Sequence, residues 1–562
     1  MFDTVVLGRT CSKKDYSVLA PKLRMQLFEA QRACREQKIP MLILVNGVDG
    51  SGRGKIMNLL SDWMDSKFLR NFVFWNETDE QREHPLEWRF WQCLPGKGDM
   101  HIFFDGWYGG FMRQRCTGEL SEQEFANRMN QFKGLEESLA MSDMAIVKIW
   151  LHLDKKTHDA YLKQRKENKV QTLFTTYDQK AVGKYKELVQ VAGDAITMTD
   201  RTYAPWHIID AADANYRNLS VASVIINAAN KALRIKNAMT AGYKVALEQD
   251  PSLVKFLAKP GDPLALALPE QEVEIKKDEP LVVMPDSVEQ EDLQAATEAG
   301  VKESADKKTQ EESPLRKAYA RGIPLTSLEV MDLTPTIEQA EYKKQLKALQ
   351  NEIHQLTYQT YKRKISSTLI FEGMDAAGKG GTIRRLMAGV DCRTARVIPI
   401  SSPTPEELAH HYLWRFWRHI PRFGQITIYD RSWYGRVLVE RVEELTPPTD
   451  WRRAYEEINH FERSLTRNNN ILLKFWLQIS PEEELRRFKE REQTPWKNYK
   501  ITEDDWRNRA KWDQYLVAAD EMFQRTDTSY APWHLISAED KKYARIAVLT
   551  KWRDALKEAL DK

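Results

Sequence analysis

Phe371-Glu372-Gly373-Met374-Asp375-Ala376-Ala377-Gly378-Lys379-Gly380-Gly381-Thr382-Ile383-Arg384-Arg385-Leu386 is the stretch from which the rest of the chain is read. Gly373 to Lys379 fit the pattern of glycine, four residues, glycine and lysine, directly after the apolar run Ser367 to Phe371. Strand, glycine-rich turn and helix, in that order, are what a phosphate-cradling loop requires. Glycines let backbone N–H groups curl round phosphate oxygens, the helix adds its positive end, and Lys379 supplies a point charge. Two departures stand out. Gly380 occupies the place where such loops carry the Ser or Thr that holds Mg²⁺, with Thr382 two residues on, and Asp375 puts a carboxylate inside the loop.

With 562 residues the chain has room for two or three domains, and 42% hydrophobic content is ordinary for a soluble protein. No apolar run reaches 18 residues, and Met1 to Lys14 has no signal-peptide core, so a cytoplasmic protein without membrane contact is expected. Five scattered cysteines without metal-ligand spacing read as free thiols. The net charge of +3 hides an asymmetry. Gly261 to Pro314 holds 15 acidic and 5 basic residues, leaving 79 basic and 66 acidic elsewhere, which suits a polyanionic ligand.

The chain also repeats itself. Gly47 and Gly373, Asp49 and Asp375, Trp88-Arg89-Phe90-Trp91 and Trp414-Arg415-Phe416-Trp417, Trp107 and Trp433, and Trp150 and Trp476 all lie 326 residues apart. Tyr203-Ala204-Pro205-Trp206-His207 recurs as Tyr530-Ala531-Pro532-Trp533-His534, offset by 327. A period this long means a duplicated domain. Strands are expected at Met41–Asn46, Phe72–Asn76, Met100–Asp105, Met144–Leu153 and Trp206–Asp210. In the second copy they are expected at Ser367–Phe371, Ala395–Ile400, Gln425–Asp430, Ile471–Ile479 and Trp533–Ser537. Continuous apolar strands alternating with helices imply a parallel sheet covered on both faces, hence two α/β domains. A helix precedes each copy, Leu19–Glu36 and Ile337–Arg363. The expected division is 1–245, an acidic, mostly disordered linker at 246–315, and 316–562.

The copies differ where chemistry would occur. Strand Ile426–Tyr429 runs into Asp430-Arg431-Ser432-Trp433-Tyr434-Gly435-Arg436, and an acid at a strand end beside a phosphate loop can hold a metal ion. Arg431 and Arg436 would engage the same phosphates through planar guanidinium groups. A basic segment, Arg486, Arg487, Lys489, Arg491, Lys497, Lys500, Arg507, Arg509 and Lys511, has the character of a lid; Arg491, Lys497 and Lys500 flank its break at Pro495 and are the chosen phosphate-binding residues, the others being assigned to the surface. The first copy has Arg53 where Lys379 stands, Asp105-Gly106-Trp107-Tyr108-Gly109-Gly110 for the later motif, and no comparable lid within Lys163 to Lys186. It is expected to be catalytically silent, although Asp49 and Asp105 persist and leave weak turnover open.

The loop, the Asp430 to Arg436 run and the basic lid together resemble the polyphosphate kinase 2 family, and the tandem arrangement with a degenerate first copy is similar to its two-domain members. That resemblance covers nearly the whole chain outside the linker. It implies two tandem P-loop, thymidylate-kinase-like, three-layer α/β/α domains with a helical lid, and transfer of the terminal phosphate of inorganic polyphosphate to AMP, giving ADP. The implied roles are as follows: Lys379 and the loop amides of Gly373, Ala377, Gly378, Gly380, Gly381 and Thr382 on the transferring phosphate; Asp375 and Asp430 on Mg²⁺ and the acceptor phosphate; Arg431, Arg436, Arg491, Lys497 and Lys500 on the polyphosphate chain. Arg441 is the further candidate for the nucleotide's phosphate, with Glu440 as its partner. Alternatives are ADP, GMP or GDP as acceptor, an ATP-dependent nucleoside monophosphate kinase, and a non-enzymatic polyanion binder. No nucleic-acid partner is expected, and homo-oligomerisation stays open.

Overall fold

The computed structural model describes residues 7–74, 77–167, 181, 184–249, 326–493 and 503–562. The acidic stretch, most of the first copy's lid segment, Lys497 and Lys500 lie outside the described residues.

Each copy is one five-stranded parallel sheet. The first holds β1 (Met41–Gly47), β2 (Leu69–Val73), β3 (Met100–Phe104), β4 (Ala145–His152) and β5 (Trp206–Asp210) in the order β2-β3-β1-β4-β5. The second holds β6 (Ser366–Gly373), β7 (Ala395–Pro399), β8 (Ile426–Asp430), β9 (Asn470–Gln478) and β10 (Trp533–Ser537) in the equivalent order. Strand β1 is buried along its whole length and β9 at all but one position, as continuous apolar runs require when helices cover both faces. The second strand is the correction: it starts at Leu69, three residues before the expected Phe72, because Leu69 is its one fully buried position and the polar Arg70 and Asn71 pair at an exposed edge. The leading helices run Lys13–Glu36, capped by Ser12, and Gln339–Lys362; each packs on the last helix of its copy, Ala214–Gln249 or Lys541–Asp561. Leu349 and Ile353 of the second leading helix are buried.

Duplication extends to a buried polar network. Glu462 accepts hydrogen bonds from Trp433 Nε1 (3.0 Å), Tyr434 OH (2.6 Å) and Lys474 Nζ (2.9 Å), and Glu136, Trp107, Tyr108 and Lys148 repeat it in the first copy. The Trp box and the Tyr-Ala-Pro-Trp-His run are structural too. Phe416 and Trp417 lie in the core, Trp533 Nε1 donates to Thr526 Oγ1 at 3.0 Å, and Trp206 does the same to Thr199.

The copies meet through equivalent elements. Trp91 stacks on Trp417, centroids 5.6 Å apart, and helices Glu122–Met141 and Pro448–Thr466 pack together. Ser464 Oγ donates to the buried Glu87 carboxylate at 2.8 Å, and backbone N–H groups of Lys97 and Phe423 donate across to Ala409 O and Glu83 O.

Candidate active site

In an open parallel sheet, ligands bind beyond the strand C-termini where the strand order reverses. Here that point lies between β6 and β8, which carry the glycine-rich loop and Asp430. Gly373 has φ +135°, and a Cβ on it would stand 2.3 Å from Leu477 O, so the close approach of β9 excludes any other residue. Gly378 (φ +106°) opens the helix Lys379–Met387, whose first turn receives no side-chain cap. Its N–H groups are left for an anion.

Lys379 Nζ folds over this loop and donates to Gly373 O (2.7 Å) and Met374 O (3.1 Å). Asp430 Oδ2 lies 3.8 Å from where a Gly380 side chain would begin, so its carboxylate reaches the space that a Ser or Thr would use in other loops of this type. Asp375 accepts from Arg431 Nη2 (3.2 Å) and Asn508 Nδ2 (2.8 Å); burial pushes its carboxyl up, but Lys379 and Arg431 hold it below the usual range. Arg431 adopts φ +66°. Glu372, buried and pushed up by that burial, accepts from Ser432 Oγ at 2.8 Å. Asp375, Lys379, Asp430 and Arg431 are therefore brought together around the loop.

Other candidates are arranged differently. Thr382 is buried and its hydroxyl donates back to Gly378 O (3.2 Å). Arg436 pairs with Glu440 (3.0 Å), bonds Thr446 and lies over the Tyr412 ring. Glu440 is thus the partner of Arg436 rather than of Arg441, reaching back from the short helix Val439–Val442 that follows the turn ending at Arg436. Arg441 is held by Glu521 (2.7 Å) and Tyr455 OH (3.0 Å), over Trp451. Arg491 sits in the last turn of helix Pro481–Glu492.

The surface assignment fails for Arg487, which is 2% exposed. It donates to Ala376 O (2.9 Å), Ala538 O (2.7 Å) and Glu539 O (2.9 Å), bracing the loop at a residue of φ +58°. Sequence reasoning also passed over Asn508, which fixes Asp375, and Lys541 and Arg545 from the last helix. The Lys541 stem passes 3.8 Å from the Cβ position of Gly378, and Arg545 Nη2 lies 3.3 Å from that of Gly381. The signal was within reach, because the 327 offset pairs these cations with Ala214 and Asn218 of the first copy.

In the first copy the same place is closed. Val45 pairs with Phe104 as Phe371 pairs with Asp430, so Phe104 replaces Asp430, and Asp105 (φ +63°) replaces Arg431. Asp105 is therefore not the surviving counterpart of Asp430. The Arg53 guanidinium is buried between Asp49 (2.9 Å) and Asp105, which also binds Arg113 at 3.0 Å. Arg217 donates to Ser51 O and its Nη1 would lie 2.2 Å from a Gly52 side chain, covering the loop.

Fold and site define a duplicated parallel α/β protein with a glycine-rich loop at the switch point of its second copy, a phosphotransferase architecture. The chain belongs to the polyphosphate kinase 2 family: the model of that family, Polyphosphate kinase 2 (PPK2), matches residues 10–237 and 336–562. It is similar to the polyphosphate:AMP phosphotransferase of Pseudomonas aeruginosa PAO1, 36% identical over 564 residues and covering 100% of both chains. The polyphosphate:AMP phosphotransferase of Acinetobacter johnsonii is 33% identical over 94% of each chain. A crystal structure of a polyphosphate kinase 2 from Pseudomonas aeruginosa PA01 matches with a TM-score of 0.77 at 34% identity, covering 100% of this chain and 99% of that one. Among the described residues no helix is long and apolar enough to cross a membrane.

Proposed function

We propose that the protein transfers the terminal phosphate of inorganic polyphosphate to AMP, giving ADP, and that its second copy, 316–562, performs the reaction. The observation that carries this reading is the full-length similarity to polyphosphate:AMP phosphotransferases, with the Asp375, Lys379, Asp430 and Arg431 set assembled in one copy only. Phosphoryl transfer needs alignment and neutralisation of charge more than covalent help. Released from the carbonyls of Gly373 and Met374, Lys379 would turn to the transferring phosphate, which the free N–H groups of the first helical turn also hold. Arg431, anchored on Asp375, would meet the developing charge. Arg436 and the lid residues Arg491, Lys497 and Lys500 are assigned to the polyphosphate chain, and Arg441 to the nucleotide.

The residues fit Mg²⁺. Asp375 and Asp430 offer hard carboxylate oxygens, Gly380 leaves room beside Asp430, and few protein ligands suit an ion that keeps its waters. When bound, Mg²⁺ neutralises phosphate oxygens. The first copy, 1–245, is assigned no turnover, because Arg53 is already neutralised by two carboxylates and Phe104 offers no ligand.

The test is ADP formation by the purified chain with Mg²⁺ and long-chain polyphosphate, offered AMP, ADP, GMP or GDP. ADP should form from AMP, and Lys379→Ala should lower kcat/KM about a hundred- to a thousandfold. Turnover with ATP as donor but none with polyphosphate would overturn the reading.

A further inference from the structure

The last helix of the second copy, Lys541–Asp561, begins over the glycine-rich loop. Its first residue lays its stem across Gly378, and one turn later Arg545 aims Nη2 at Gly381. Both cations thus border the helix start where an anion would sit. Among the described residues neither has a carboxylate within ion-pairing distance. Arg545 Nη1 donates to Tyr342 OH (3.3 Å), while its buried Nε has no partner. Lys541 is half-buried; burial first, and Arg487 second, push its ammonium down to about 8, against weaker support from Glu490 and Glu483. Holding two uncompensated cations together beside Arg487 costs free energy in the absence of a counter-anion.

The two copies supply an internal control. At the 327 offset Lys541 corresponds to Ala214 and Arg545 to Asn218. The surroundings are kept: Asp540 and Asp213 accept from backbone N–H groups at the helix start, and Tyr342 and Tyr16 both receive a hydrogen bond from the residue in question. Arg217, the cation over the first copy's loop, is tied to Ser51 O and Asn218 Oδ1, and the positive charges of these two positions are gone. They vanish from the same copy that has Arg53 for Lys379 and Phe104 for Asp430, as expected of groups that serve the ligand rather than the fold. Residues of the structural network, Glu136, Lys148 and Trp206, show the opposite behaviour and persist.

We propose that Lys541 and Arg545 form an anion site for the donor chain, pairing phosphates of a condensed phosphate polymer that lie beyond the one held by the loop. This site rests on the polyphosphate donor proposed above. It gives the polymer a route over the start of the last helix, which follows β10 at the edge of the sheet. Guanidinium and ammonium together suit a string of phosphates without a base or sugar to recognise.

The test is calorimetric titration of the full chain with polyphosphate of defined length, without nucleotide. Lys541→Gln and Arg545→Gln should each weaken binding about tenfold, as loss of one charge-assisted contact does. Each should also lower the slope of log Kd against log salt by about one. Lys541→Arg should bind like the unaltered protein, and the KM for AMP should not move. The positions are tested separately, so either carries the test if the other variant does not fold. Unchanged affinity and slope in folded variants would overturn the site, as would a rise confined to the KM for AMP. If the unaltered protein binds polyphosphate but makes no ADP, the proposed reaction falls and the site stands. If ADP forms while the variants bind normally, the site falls and the reaction stands; no polyphosphate binding at all would overturn both.

Discussion

Asp430 and its absence in the first copy separate the two halves of this molecule more sharply than any other residue. The strand registers put Phe104 in its place, so the first copy has no carboxylate at that register position, and the Asp105 carboxylate one residue on is consumed by Arg53 and Arg113. Asp430→Asn keeps shape and removes charge. It should therefore lower polyphosphate-driven ADP formation at least about a hundredfold in the whole protein. Steady-state rates on purified variant would decide, and appreciable remaining turnover would show that the first copy works. The sequence put Asp105 opposite Asp430 because both end an apolar strand with an acid. Counting from Trp107 and Trp433 gives the other pairing, and the duplicated positive φ at Asp105 and Arg431 supports the count.

At the scale of elements, the helices Pro481–Glu492 and Glu503–Ala510 connect the basic segment to the loop. Their charges are mostly used within the protein: Arg486 on Glu483, Arg507 on Glu443 and Asp504, Arg509 on Glu484. Glu484 is 2% exposed, and burial pushes its carboxyl up to about 7 from 4.5 despite the hydrogen bond from Arg509. Between those values the folded chain keeps a proton that the unfolded chain has lost, so stability falls as pH rises through that window. Glu484→Gln has no such proton. Its unfolding free energy relative to the unaltered protein should rise by about 1–3 kcal/mol between pH 4.5 and 7.5, read from urea midpoints. A constant difference would mean that Glu484 titrates normally. Elements of this kind show where sequence reading works. The strands were legible because an apolar run between turns has one physical meaning, and the loop was legible because its glycines are spaced for one purpose. Arg487 was not, since a charge count on a helix cannot tell which arginine turns inward to three backbone carbonyls. Nor was Asn508, whose role depends on the chain returning to the loop across more than a hundred residues.

For the whole molecule the question is what the first copy contributes. Trp91 and Trp417 stack across the junction, both about 97% buried, and His411 packs edge-on against Trp91. Around them Glu87 receives hydrogen bonds from Ser464 of one copy and Gln131 of the other, while Arg422 pairs with Glu80. The apolar centre and polar rim are those of a subunit interface built within one chain. The second copy thus has its Trp417 face covered by a partner that is always present, so folding of the two should be coupled. Trp91→Ala removes the central ring and should cost about 3–5 kcal/mol, as large buried aromatics do. Because Trp91 lies at the junction with Trp417 and His411, the loss should first show as uncoupling. Calorimetry of the unaltered protein should give one unfolding transition, and that of the variant two, with the lower one carrying the loss of ADP formation on heating. A variant that still melts as a single unit at the original temperature would show that the junction joins the copies without stabilising either.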